Sequence, residues 1–234
     1  MASLRIIEDK DFDRLIIRTR INARNISILV KEDGLHVTVP PYTKTSRILE
    51  VIDMYRNKMK QHFTSRKPKR IDFDYTIAAD CFHMRLVPGL TSSFTVRNHD
   101  EEMVIICPKE VDFADEATQQ IIRMAIVRAL KRRAEQFLPP LLAELAERYG
   151  MKYRKVRITG ARTRWGSCTS TGTISLSCYL MLVPQHLMDY VMLHELAHTR
   201  EMNHGPGFWA LLDSMTEGCA HQLREQLRNY KTSF

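Results

Sequence analysis

The chain has 234 residues, 44% of them hydrophobic and 26% charged, enough for one large domain or two small ones with a buried core. This balance excludes a disordered or fibrous chain, and no apolar run approaches the roughly 20 residues of a membrane span. The start of the chain lacks an apolar core of signal-peptide length, so a cytoplasmic location with no membrane partner is expected.

The first elements in chain order are strands. Residues 15–21 and 26–30 are rich in β-branched residues with partial alternation, and residues 35–39 alternate again after the turn signal Glu32-Asp33-Gly34. Pro40 and Pro41 close this run. Thr45 or Ser46 can cap a helix to about residue 62, with Ile48, Val51, Ile52, Tyr55 and Met59 at helical spacing. Residues 66–70 read as a polar loop. Strands are expected at 71–77, 82–87, 94–97 and 103–107, with a hairpin tip at 98–102.

From residue 113 to 149 the period becomes helical. Ala117, Ile121, Ala125, Leu130, Phe137, Leu141 and Leu145 fall near one face, and Pro139-Pro140 predicts a sharp kink or two helices joined at Leu138. Residues 156–159 and 163–168 read as one interrupted strand, turning at 170–172 into a long strand over 173–183. Pro184 suits the first turn of the next helix. Pro206 opens another, and a short helix covers about 218–230. No internal repeat is visible. The expected class is α+β, with an N-terminal region over 1–112 and a second region over 113–234.

Charge and cysteines narrow the partners. The net charge of +8 is concentrated at residues 66–70, 131–133 and 152–157, which admits nucleic acid or acidic substrates but forms no basic tail. The five cysteines, Cys81, Cys107, Cys168, Cys178 and Cys219, are odd in number and none lies in Cys-x-x-Cys, so reduced thiols are expected.

The most informative stretch is residues 191–209, which contain His194-Glu195-Leu-Ala-His198 and, six residues on, His204. Two positions four apart share a helix face about 5–6 Å apart, within reach of one ion at Zn–N distances of about 2.0–2.1 Å. Leu187, Val191, His194 and His198 continue one stripe, so the histidines face inward, where buried imidazoles need partners. Glu195 lies one residue round and is placed to take a proton from a water at the metal. After Met202, Asn203-His204-Gly205-Pro206-Gly207 breaks the helix and can swing His204 back. Three ligands with one open position is the pattern of a catalytic zinc site.

Beyond that motif, Arg164-Trp-Gly-Ser-Cys168, Gly172-x-Ile174-x-Leu176, Pro184 and the run from Tyr190 to Trp209 together resemble the YgjP-like metallopeptidase family. The stretch from Arg18 through Val30, Gly34 and Pro40 is similar to it as well. The resemblance implies a zincin-like second region, with a backing helix, a small sheet and the motif helix, akin to the WLM and SprT-like proteases. It implies zinc on His194, His198 and His204, Glu195 as acid and base, and a peptide or protein substrate. Glu201 departs from the metzincin pattern, which has glycine there. Arg164, Tyr179 and Tyr190 are candidates for substrate or oxyanion contact. The resemblance also admits a nucleotide substrate, as in a UTP pyrophosphatase, with Lys152, Arg162 and Arg164 on phosphates. A zinc-containing binding module without catalysis is the third reading.

Overall fold

The computed structural model describes residues 4–31, 33–64 and 69–230. The chain is α+β and divides into two compact units, residues 1–69 and 70–234. Most of the polar loop at 66–70, and Glu32 of the first turn signal, lie outside the described residues. No helix among the described residues is long and apolar enough to cross a membrane.

In the first unit, β1 (Leu4–Asp9), β2 (Asp13–Thr19), β3 (Ser27–Lys31) and β4 (Gly34–Val39) form a sheet of order β1-β2-β4-β3, followed by α1 (Thr45–Thr64). The strand β1 was not anticipated. β2 and β4 run parallel, with Leu15 beside Leu35 and Ile17 beside Val37, so alternate side chains line one face. Those four residues are buried with Ile48, Ile52, Met59 and Phe63 of α1, whereas Tyr55 is exposed.

Arg56 ties α1 to the β1–β2 turn, with Nη1 donating to Asp9 at 3.0 Å and to Asp11 at 2.9 Å. The Arg56 hydrogen bond holds Asp9 below the ordinary carboxylate range. Lys60, then Arg56, does the same to Asp11. Replacing Arg56 by Met should destabilise the chain by roughly 1–2 kcal/mol at neutral pH, because Asp9 loses its charged donor and Asp11 is left with Lys60. A depressed pKa adds stability above the unfolded value of 3.8, and that stability is lost as pH falls through the folded value. The gap between native and variant in urea unfolding should therefore be full at pH 6 and close as pH drops below about 4.

The second unit repeats the topology. β5 (Ile77–Ala79), β6 (Phe82–Pro88), β7 (Thr95–His99) and β8 (Glu102–Cys107) pair in the order β5-β6-β8-β7, with β6 parallel to β8 and the outer pairs antiparallel. A helix again follows. Two copies of one strand order, each with its helix, stand where the sequence showed no repeat. Residues 71–77 were expected as strand and are turns up to Ile77. Gln119 explains this: its Oε1 accepts from Ile71 N at 3.0 Å and its Nε2 donates to Ile71 O at 2.8 Å, so a side chain takes the bonds a strand partner would have made. Phe82, Met84, Leu86, Met103 and Ile105 share a core with the following helix, so these strands fall in the compact unit that begins at Arg70.

That helix, α2 (Glu116–Arg148), is capped by Asp115, which accepts from Thr118 N at 2.9 Å, and runs unbroken through Pro139 and Pro140. The expected division at Leu138 does not occur. Leu138 and Leu142 are fully buried, so packing on both sides holds the backbone where two N–H groups are missing. The buried stripe is Ile122, Ile126, Ala129, Ala134 and Leu138, and Ile121 is exposed. Adjacent apolar pairs such as Ile121-Ile122 and Leu141-Leu142 make two neighbouring stripes look equal in sequence.

A three-stranded sheet and three helices complete the unit: β9 (Lys155–Thr159), β10 (Gly166–Cys168), β11 (Thr173–Ser177), α3 (Gln185–Ala197), α4 (Pro206–Met215) and α5 (Ala220–Arg228). β11 is central, antiparallel to β10 and parallel to β9. The two stretches read as one interrupted strand therefore flank β11 on opposite sides. The strand expected to run to 183 stops at Ser177, whose Oγ donates to Ala161 O at 2.7 Å and accepts from Tyr179 N at 3.3 Å, starting a 3-10 turn over Cys178–Leu182. No disulfide joins the five cysteines.

Candidate metal centre

The helix α3 presents Leu187, Val191, His194 and His198 along one stripe, with Leu187 and Val191 buried. It ends at Ala197, five residues before the expected break after Met202. Thr199 Oγ1 donates to Leu196 O at 2.8 Å and Glu201 N donates to Ala197 O at 2.9 Å, so the last turn tightens around His198. The chain then crosses 199–205 and enters α4 with Pro206 in its first turn. This early exit returns His204 to the face that carries His194.

The ligand atoms of His194, His198 and His204 all lie within 4.8 Å of one another, the one such group among the described residues. His194 Nε2 and His204 Nε2 are 3.2 Å apart. His198 Nδ1 lies 3.0 Å from the Glu201 carbonyl. A carbonyl only accepts, so Nδ1 carries the proton and Nε2 keeps its lone pair for the centre. The position where metzincins have glycine thus serves through its backbone. Phe208, fully buried, lies under all three imidazoles, with ring centroids 4.9, 4.6 and 4.7 Å from His194, His198 and His204.

Burial dominates the electrostatics. It holds the His194 imidazole down to about 3, assisted by His198, His204 and Arg224. His204 is lowered by burial, His198 and Arg224. Neutral imidazoles are the form that binds a metal. Glu195 is 5% exposed, and burial pushes its carboxyl up to about 8. His194 Nδ1 and Glu195 Oε2 are buried without a hydrogen-bond partner, two orphaned polar atoms at adjacent residues. Three converging neutral nitrogens form a donor set that fits a divalent metal with water on its open side, and the unpartnered Glu195 carboxyl lies outside that set on the neighbouring residue.

The matching family model describes a YgjP-like metallopeptidase domain and covers residues 24–230. The chain belongs to the YgjP-like family. Its members are metallopeptidases, hydrolases whose chemistry implies a divalent metal. Among solved structures, the metallopeptidase zymogen abylysin of Pyrococcus abyssi is 24% identical, over 38% of this chain and 89% of that one, with a TM-score of 0.35. The zymogen of Methanocaldococcus jannaschii jannalysin is 21% identical, over 38% of this chain and 91% of that one, with a TM-score of 0.34. No curated protein matches the chain.

The other sequence candidates scatter. Tyr190 is 3% exposed with its ring 6.0 Å from His194, and burial raises its phenol. Tyr179 is buried in the 3-10 turn, and Arg164 is exposed before β10. β11 has strand partners on both edges, whereas β10 is an edge of its sheet. Sequence reasoning missed Gly166, whose Cα faces Glu195: an added Cβ would stand 2.6 Å from Oε1 and 2.7 Å from Cγ. It also missed the Glu201 carbonyl and Arg224. Gly166 falls inside the quoted Arg164–Cys168 motif, so a signal existed there. Arg224 carries none.

Proposed function

We propose that this YgjP-like chain is a zinc-dependent peptidase whose metal is held by His194, His198 and His204. The single observation that supports it most is the 3.2 Å between His194 Nε2 and His204 Nε2. Two bonds of about 2.0–2.1 Å at a tetrahedral angle put neighbouring donors roughly 3.3–3.4 Å apart. A metal bound there supplies a Lewis acid for the scissile carbonyl and lowers the pKa of water toward neutrality.

The rest falls to the chain's own groups. The Glu195 carboxyl, raised by burial, takes its ionised form beside a divalent charge; with Oε2 unpaired it then accepts the proton of the attacking water and passes it to the leaving amine. His198, fixed by the Glu201 carbonyl, keeps one tautomer throughout. β10 lies against Glu195 and can receive an extended peptide by strand addition along its edge.

Protein purified without chelator should carry about one zinc per chain by elemental analysis, and His194→Ala, His198→Ala and His204→Ala should each hold under about a tenth of that. Full zinc in His204→Ala would remove the third ligand from the proposal. Cleavage of a peptide library, run beside pyrophosphate release from UTP, separates the peptidase from a nucleotide hydrolase. A zinc-loaded chain inert to both would be a binding module.

A further inference from the structure

The helix α5 supplies no ligand, yet it brings a cation to the metal centre. It is held from three sides. Ala220 N donates to Asp213 Oδ1 of α4 at 3.2 Å, Gln226 Oε1 lies 3.2 Å from His186 Nε2 of α3, and Leu223 and Leu227 pack against the core. On its exposed side His221 stacks on Trp209 at 4.2 Å and 21°. One turn on, the Arg224 guanidinium carbon lies 5.4 Å from the centroid of the same indole. Trp209 in turn lies 6.0 Å from the His204 ring. A chain of ring contacts thus runs from α5 to the third histidine.

Arg224 pairs with no carboxylate among the described residues, although its neighbour Arg228 bonds Glu225 at 2.9 Å. Two ring contacts, that of Arg224 with Trp209 and that of Trp209 with His204, separate its charge from the metal centre. Such a cation works against binding of the metal itself. The donor set is three neutral imidazoles with no carboxylate among them, so a divalent ion there keeps its full charge, and a guanidinium one indole away repels it. An anion that arrives with the ligand would offset both charges. A guanidinium presents a fork of N–H donors, the geometry that grips a carboxylate with two bonds.

We propose that Arg224, held on Trp209, is the specificity residue with which this centre recognises a carboxylate of its peptide substrate. The proposal rests on the peptidase reading for the identity of that substrate. A peptide offers two such groups: its own C-terminus and an Asp or Glu side chain beside the scissile bond. Both match the chemistry, and the experiment distinguishes them.

The zinc-loaded Glu195→Gln protein, which binds without turnover, is titrated calorimetrically with three peptides of one sequence. One ends in a free carboxylate, one in an amide, and one in an amide with an internal Asp. The carboxylate peptides should bind more tightly than the neutral one. Adding Arg224→Gln should weaken carboxylate binding about tenfold or more and leave the amide within about twofold. Arg224→Lys should recover part of the difference. A preference confined to the free terminus or to the internal Asp names the source. Zinc affinity of Arg224→Gln, read by competition with a chromophoric chelator, should be equal or higher. Equal losses for all three peptides, no loss for any, or weaker zinc binding would overturn the assignment. A carboxylate preference that depends on Arg224, in a chain that cuts no peptide, would keep the anion site and discard the peptidase reading.

Discussion

Glu195→Gln should lower peptide hydrolysis by about 10²–10⁴-fold with zinc content unchanged, measured as kcat and by elemental analysis on the same preparations. Gln has the shape of Glu and fits the same contact against Gly166, so the fold has no reason to adjust. The metal should stay because the cluster of ligand atoms comprises three histidines and leaves residue 195 out. What is lost is the acceptor. The orphaned Oε2 is the buried oxygen with a lone pair to offer next to the imidazoles, and an amide in its place takes no proton at neutral pH. Turnover within tenfold of the native chain would take Glu195 out of proton transfer. Loss of zinc would make it structural.

How much of this was legible in the sequence follows from the range of the interactions. His194 and His198 were readable because four residues on a helix is a local rule, and the return of His204 because the chain after Met202 could not stay helical. The place of that return was not readable. It depends on the Thr199 and Glu201 bonds that close α3 early. Strands were readable where alternation faced a core, as at Leu15 and Ile17. The 71–77 stretch failed because its partner is the side chain of Gln119, 48 residues away. The doubled four-strand topology left no trace, since a repeated strand order needs only alternation and turns, not repeated residues. Gly166 and Arg224 matter through what packs on them, and neither proximity is encoded by spacing. One is an exposed arginine on the last helix, the least distinctive thing a basic chain can carry.

Gly166→Ala should reduce kcat about 10²-fold while zinc content stays that of the native chain. The argument is spatial. A methyl group at residue 166 would stand 2.6 to 2.9 Å from Oε1, Cγ and Cδ of Glu195, closer than carbon and oxygen approach without bonding. One of them must move. β10 is held by its ladder to β11, with Gly166 opposite Leu176, and Leu176 is fully buried, so the strand resists. Glu195 is the softer partner, because its side chain is flexible and Oε2 has no hydrogen bond to anchor it. The carboxylate should therefore be pushed away from β10, and a displacement near 1 Å at a reacting group can cost that factor. His194 projects about 100° round the helix from Glu195, and His198 and His204 lie beyond the end of α3, so the metal should be untouched. The pairing with Glu195→Gln makes the test sharp: if the alanine acts by displacing the carboxylate, the double variant should be no slower than Glu195→Gln alone. Additive losses would mean that β10 shapes the substrate path rather than the proton acceptor.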